Sequence, residues 1–312
     1  MPLDPGPLLV TGANGHLGRH LISQLAGSGR ESGGLRAVVR SQGAAEQVRS
    51  SSGGGNVEIH VVDYADASAV EAVAVGCRAV AHFVGIIKES RRASYRDAHE
   101  ESCAALARAA EAAGVERIVY LSILGADPAS RNRCLASRGR AEEILLSCGV
   151  STAVIRVPMV IGPGDPASRS LRAQARAGLL PLVGGGRTRH QPIDSRDVLA
   201  AVWAAIERPE LGDQILELGG PEGLSHRDLV DRAARLYGTR PFVLPLPATA
   251  VRAAVALLER LSADPPLTTT MLEILQHDDC VDATQACEQL GIELTPLGDT
   301  LETWVGPEAE EP

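Results

Sequence analysis

The chain has 312 residues, 45% of them apolar but only 3% aromatic, and a formal net charge of −9. That length supports one large domain or a core with an appended lobe, and the core must be built from Ala, Val, Leu and Ile. An acidic chain lacks the basic face that broad nucleic-acid binding requires, which sets that class of function aside.

The basic residues are 29 Arg and a single lysine, Lys88. Six cysteines, at 77, 103, 134, 148, 280 and 287, show no CxxC spacing. Neither a disulfide framework nor a zinc site, nor any other metal site, is expected from them, and they read as reduced thiols. The N-terminal MPLDPGPLLV lacks a basic stretch followed by a long apolar run, so no secretory leader is expected. No run reaches the roughly 18–20 apolar residues of a membrane span. The expected location is the cytoplasm, with peripheral attachment to a membrane complex left open.

LLVTGANGHLGRHLISQLAGSG reads as strand, glycine turn and helix. LRAVVR from Leu35, NVEIHVVD, and AVAHFVG from Ala79 are the next strands. An Ala-rich helix spans Arg96 to Gly114, RIVYLSILG is a fifth strand, and RNRCLASRGRAEEILL from Arg131 is the helix after it. STAVIRVPMVIGP from Ser151 is the sixth strand. Short apolar runs alternating with helical patterns predict an α/β fold, a Rossmann-type doubly wound parallel sheet with a smaller C-terminal α/β lobe. The predicted boundaries are a dinucleotide-binding domain over 1–162, with 187–208 packing back onto it, and a lobe formed by 163–186 and 209–312. GGL near Gly33 and SSSGGG near Ser50 read as surface loops, and the acidic tail GPEAEEP as frayed.

TGANGHLG, from Thr11 to Gly18, lies between a strand and a helix. Gly12 permits a tight turn, Gly15 lets the backbone approach a pyrophosphate, and Gly18 allows close helix–strand packing. Helix N–H groups and the positive end of the dipole then face the phosphates. A tight turn without a ligand is the alternative reading. The second strand ends at Arg40 and carries Arg36, with no acid to hold ribose hydroxyls as NAD binders do. A guanidinium suits a 2′-phosphate, so NADP(H) is favoured over NAD(H). Arg40 also reads as a solvated strand-end arginine.

The glycine pattern, Asp63–Tyr64 after the third strand, HFVGIIKE, YLSILGADP, VIRVPMVIGPGDP and LELGGPEGLSHRDLV together resemble the short-chain dehydrogenase/reductase superfamily. The likeness is to its extended, atypical branch, which includes the NADPH-binding accessory subunit of respiratory complex I and its bacterial relatives and, more distantly, the NmrA-like redox sensors. It covers roughly residues 7 to 240. The resemblance implies that Gly12, Asn14, Gly15, His16 and Leu17 line the pyrophosphate, with Gly18 completing the cofactor-binding loop, and that Arg40 meets a 2′-phosphate. It implies that Asp63 accepts from the adenine amino group, with Tyr64 among the cofactor-binding residues, that Val84 and Gly85 lie along the adenosine ribose, and that Ser122 stands where active members keep a substrate-orienting hydroxyl.

Active members of that branch also carry YxxxK on the following helix. The matching frame here is Cys134-Leu-Ala-Ser-Arg138. The residues four past Tyr64, Tyr95, Tyr120 and Tyr237 are Ser68, His99, Leu124 and Pro241, so no YxxxK exists. Arg138 keeps a charge that could hold ribose hydroxyls. Cys134, with an ordinary thiol pKa near 8.5 and a cation expected to lower it, is a weak candidate acid and reads first as a buried thiol. Ser122, Cys134 and Arg138 are therefore the catalytic candidates, all of them weak. His82 reads as a packed strand-end histidine. His190, Arg187 and Arg189 are weaker candidates, and Asp194 or Ser195 is expected to cap the next helix. The implied protein binds a dinucleotide without turnover, as a structural or redox-sensing member of an assembly with a protein partner. The alternative is an NADPH-dependent oxidoreductase or epimerase-type enzyme with another proton donor.

Overall fold

The computed structural model describes residues 6–28, 33–91, 93–262 and 264–309. The last three residues of the acidic tail therefore lie outside the described residues. Two compact units are present. The first runs up to Arg156 and adds Leu199–Leu216 and Glu288–Ile292; the second is Val157–Val198, Glu217–Cys287 and the stretch from Glu293 onward.

In the first unit strands and helices alternate as β1 (Leu8–Thr11), α1 (His16–Ser28), β2 (Leu35–Val39), α2 (Gln42–Ser51), β3 (Val57–Val61), α3 (Ala67–Ala74) and β4 (Ala79–His82). A π-turn at Arg96–Glu101 leads into α4 (Ser102–Ala113), then β5 (Arg117–Ile123), α5 (Arg133–Leu146) and β6 (Ser151–Val157). The seven-stranded sheet has the order β11-β6-β5-β4-β1-β2-β3, with β11 defined below. β1 pairs in parallel with β2 and β4, and Thr11 stands opposite Val38 on one side and His82 on the other. Leu8, Leu9 and Val10 are fully buried, as a central strand covered on both faces requires. Ser41, Asp66 and Asn132 cap α2, α3 and α5 by accepting from first-turn N–H groups.

The chain continues with β7 (Val160–Ile161), α6 (Pro166–Ala175), β8 (Leu179–Val183), β9 (Arg189–His190), β10 (Ile193–Asp194), α7 (Ser195–Glu207) and β11 (Gln214–Glu217). Then come β12 (Leu224–Ser225), α8 (His226–Leu236), β13 (Phe242–Leu246), α9 (Ala248–Leu261), α10 (Thr269–Leu275), α11 (Thr284–Leu290) and α12 (Leu297–Trp304). The second unit has its own core, in which Leu171, Leu229, Val230, Leu297 and Leu301 are all buried.

The structure differs from the sequence reading in five places. The predicted sixth strand is two: β6 stops at Val157, and β7 pairs with β10. That pairing draws 157–198 into the second unit, so the units divide at Arg156 and only 199–208 of the 187–208 segment lies with the sheet. A seventh strand, β11, completes the sheet edge. The helix predicted from Arg96 opens as a π-turn. Ser50 and Ser51 belong to α2, because their hydroxyls bond back to the Glu46 and Gln47 carbonyls inside the helix.

Arg117, at the start of β5, is fully buried. Its Nε donates to Ala205 O at 3.1 Å, and Nη1 donates to Ser151 Oγ at 2.6 Å and Gly212 O at 2.9 Å. One guanidinium thus joins β5, β6, α7 and the turn before β11. Replacing it strands buried acceptors, each costing about 1–3 kcal/mol. Arg117→Met is expected to lower the unfolding free energy by about 2–4 kcal/mol in urea denaturation. A loss below about 0.5 kcal/mol, typical of surface changes, would show that these bonds are not structural.

Candidate functional site

The site is built where β1, β2 and β4 end side by side. Gly12 leaves β1 with φ +69°, and Gly15 N–H donates to Gly12 O at 2.9 Å to close the turn. A Cβ on Gly12 would lie 2.8 Å from the Phe83 carbonyl carbon and 2.9 Å from Val84 N. Left-handed backbone and contact with the β4 exit both require glycine there. A Cβ on Gly18 would meet Gly12 O at 2.7 Å, so α1 is pressed against the turn.

Tyr64 holds this turn from below. Its hydroxyl accepts from Gly12 N–H at 3.0 Å and donates to Val38 O at 2.9 Å. Burial pushes the phenol up to about 12, so it stays neutral. The sequence reading places Tyr64 beside a nucleotide; in the structure its hydroxyl braces the loop. Arg40 is exposed, with its guanidinium 5.9 Å from the Tyr64 ring centroid. Arg36 lies elsewhere, ion-paired to Glu58 at 2.8 Å and donating to the Val73 and Val75 carbonyls. Of the two arginines on this segment, Arg40 is the one that lies over Tyr64, whose hydroxyl holds the glycine turn. Exposed Asp63 accepts from Ala65 N–H at 3.1 Å. Asn14 reaches Gln47 at 3.5 Å, and His16 and Leu17 form the first turn of α1.

Past β4, Val84 is buried and Gly85 is exposed. A Cβ on Gly85 would overlap the Arg138 guanidinium. Arg138 is buried on α5; its Nη1 donates to Tyr120 Oη at 2.7 Å and Leu121 O at 3.2 Å. Cys134, one turn earlier, is fully buried and its thiol donates to Ile86 O at 3.6 Å. The expectation that a cation lowers its pKa is corrected. Burial outweighs Arg138 and pushes the thiol up to about 11. Ser122 Oγ, two residues past Tyr120, is buried without a hydrogen-bond partner among the described residues, as is Arg138 Nε.

Beneath this wall lies a polar chain that the sequence does not announce. Thr11 Oγ1 is 2.6 Å from His82 Nδ1, and His82 Nε2 is 3.5 Å from Cys103 Sγ. The His82 and Tyr120 rings are 5.4 Å apart. His99, in the π-turn, places Nε2 3.1 Å from Ile86 N and 3.0 Å from Ile86 O. Burial, and then the Arg138 charge, lowers His82 to about 3 and His99 to about 2. Both are neutral packed groups, so His82 has the strand-end role expected of it. The signal for the pair is the β1–β4 register, which no local motif shows.

The remaining candidates belong to the second unit. Asp194 is buried and accepts from Arg196 N–H at 2.8 Å, as a cap of α7, and from Trp304 Nε1 at 2.9 Å. His190 is buried with its ring 5.3 Å from that of His226, and burial lowers its pKa. Arg189 donates to Gly223 O at 3.1 Å, while Arg187 is exposed. All six cysteines are free thiols, and among the described residues no three His, Cys, Asp or Glu side chains gather as a metal would need.

The glycine turn, the start of α1 and a Ser122 Oγ with no partner among the described residues fit a nicotinamide dinucleotide laid across the strand ends. Residues 12–176 match the family model described as NAD(P)H-binding. The chain belongs to that family, within the atypical short-chain dehydrogenases/reductases. It is 31% identical over 254 residues to NADH dehydrogenase [ubiquinone] 1 alpha subcomplex subunit 9 of Arabidopsis thaliana, covering 79% of this chain and 62% of that one. It therefore spans less than two thirds of that relative. It is 28% identical to a ceramide reductase of Caulobacter vibrioides, over 83% of this chain and 79% of the reductase. The fold is shared with an NADPH-dependent quinone oxidoreductase of Escherichia coli (20% identity, TM-score 0.72, 95% and 98% of the two chains). It is also shared with UDP-glucuronic acid 4-epimerase of Bacillus cereus (16% identity, TM-score 0.74, 96% and 98%). Among the described residues, no helix is long and apolar enough to cross a membrane.

The buried histidines make stability pH-dependent. Their folded pKa values lie below the ordinary 6.5, so their contribution is complete above 6.5 and lost as pH falls toward 3. The acid slope should approach about 1.4 kcal/mol per pH unit for each histidine. Cys134, at about 11, acts oppositely: its contribution is complete below the ordinary thiol value and lost as pH rises through 11. Urea midpoints of wild type and His82→Asn across this range test the acid limb. The variant should show a clearly shallower slope; an unchanged slope rules His82 out as a source.

Proposed function

We propose that this protein binds NADP(H) as a structural or redox-sensing cofactor and does not reduce carbonyls by the usual dyad. One observation carries the reading: the residues in the dyad frame are already engaged by protein. Arg138 uses Nη1 on Tyr120 and Leu121 O, and the Cys134 thiol lies buried against Ile86 O. A donor must come within about 3 Å of the accepting oxygen. A buried thiol held up near 11 and turned to a carbonyl is poorly placed for that. When bound, the nicotinamide supplies hydride; what this chain contributes is the cradle of Gly12, Asn14, Gly15, His16, Leu17 and Gly18, with Asp63, Val84 and Gly85 along the adenosine. Arg40, exposed beside Tyr64, is the partner for a 2′-phosphate, and this supports NADP(H) over NAD(H). A nucleotide that binds only the native state stabilises it by mass action, about 2.7 kcal/mol at a hundredfold excess over Kd, which is a sufficient use without turnover. The relatives that are subunits of NADH–ubiquinone oxidoreductases support membership of a larger assembly.

A second reading is an NADPH-dependent reductase. The unpartnered Ser122 Oγ favours it, as does the ceramide reductase matched over most of both chains. Its substrate would be a ceramide-type lipid, with a proton donor other than a tyrosine of YxxxK.

Calorimetric titration with NADPH, NADP, NADH and NAD, followed by NADPH oxidation against a carbonyl panel that includes N-acylated long-chain ketones, separates the two. The expected result is NADPH binding without oxidation, and Arg40→Ala weakening NADPH by about tenfold or more with little effect on NADH, as loss of a charge-assisted bond of about 1.5–3 kcal/mol requires. Oxidation that Ser122→Ala abolishes would overturn the non-catalytic reading.

A further inference from the structure

Seven large apolar side chains of the second unit stand exposed: Leu179, Phe242, Leu244, Leu257, Leu258, Leu261 and Leu275. Phe242 and Leu261 are 69% and 78% exposed, far beyond a half-covered surface residue. They are ordered, not scattered. β13 pairs in parallel with β8, with Phe242 opposite Leu179 and Leu244 opposite Pro181. Alternation along a strand puts Leu179, Pro181, Phe242 and Leu244 on one face of that ribbon, and all four are exposed. Pro247 then leads directly into α9.

Of the fourteen residues of α9, only Val255 is buried. Ala250, Ala254, Leu257, Leu258 and Leu261 are exposed at spacings of three and four, which is one stripe of a helix. A water-facing stripe of that kind costs apolar hydration for every leucine.

Charge indicates what covers it. The whole chain carries −9, yet the segment from Arg235 to Ser262 holds Arg235, Arg240, Arg252 and Arg260 against one acid, Glu259. Arg252 is paired to Glu273 at 2.8 Å. Arg235, Arg240 and Arg260 are exposed and have no ion-pair partner among the described residues. Arg240 stands two residues before Phe242, and Arg260 beside Leu261. Apolar side chains flanked by unpaired arginines match an anionic lipid surface, where leucines enter the acyl boundary and guanidiniums stay with the headgroups. In a two-fold contact a second copy would offer the same segment, with Glu259 as its one acid, to these arginines.

We propose that the β13–α9 face is a membrane-surface docking site, selective for anionic bilayers, that lies on the bilayer without spanning it. It is independent of the nucleotide reading, since none of its residues belongs to the glycine-turn site.

The test is co-sedimentation of the full chain with phosphatidylcholine vesicles, with and without phosphatidylglycerol. Wild type should sediment with the anionic vesicles, weakening as salt rises. Arg240→Gln and Arg260→Gln should each reduce binding about fivefold, the share of one basic residue near such a surface. Leu257→Glu with Leu261→Glu should abolish it. Both leucines are exposed, so an unchanged thermal midpoint verifies that the double variant is folded. Hydrogen exchange of 242–261 should slow on vesicle addition. Absence of sedimentation with either vesicle overturns the proposal. So does a concentration-dependent dimer that the double variant dissociates, because the face would then be a contact between copies.

Discussion

The contact on which the rest of the site depends is the pinch between Gly12 and the exit of β4. The first turn after β1 passes so close to Phe83 and Val84 that a single methyl group would collide with backbone. That closeness is possible only because the residue has no Cβ and can take φ +69°. Tyr64 fixes the pinch from the other side by joining Gly12 N–H to Val38 O. Three adjacent strands are thereby locked at their C-terminal ends, and α1 starts from a turn with no freedom of its own. A dinucleotide laid across such an edge meets a preformed surface, so little ordering has to accompany binding.

Much of the sheet was legible because its strands are short apolar runs between helical patterns. Leu8–Leu9–Val10 acts within a few residues of itself, so its signal is local. The glycine turn was legible for the same reason. What escaped was set by distance or by register. β11 is a short strand whose pattern means little until β6 offers it an edge. The division of the sixth strand at Val157 depends on β10, some thirty-five residues later. Thr11 and His82 meet because β1 and β4 pair in register, which neither segment declares alone. Arg36 and Arg40 look interchangeable along the chain, yet four residues place them at opposite ends of β2, one on Glu58 and the other beside Tyr64.

The helix wall illustrates the same limit in chemical terms. The sequence shows a thiol and an arginine where a tyrosine and a lysine would stand, and a cation near a thiol suggests a lowered pKa. Packing reverses the sign. Cys134 is fully enclosed, and withholding water from a thiolate costs more than Arg138 returns. Burial of this kind cannot be read from the identity of two residues four apart.

Arginine is also not lysine at this position. A guanidinium is planar, carries five donors and cannot be neutralised by burial, whereas an ammonium can lose its proton. A buried charge that cannot titrate has to be held by fixed partners, and Tyr120 Oη, Leu121 O and the face of the Tyr120 ring do this. Once there, its field reaches the neighbouring imidazoles. It adds to the burial that keeps His82 and His99 uncharged, and so to the neutrality of the interior behind the strand ends. The position thus remains tied to the core through Tyr120 whether or not the protein reduces anything. Retention of a cation there is explained by packing and electrostatics, without appeal to turnover. The polar atoms this wall leaves unsatisfied, Ser122 Oγ and Arg138 Nε, are the ones a bound molecule would still have reason to address.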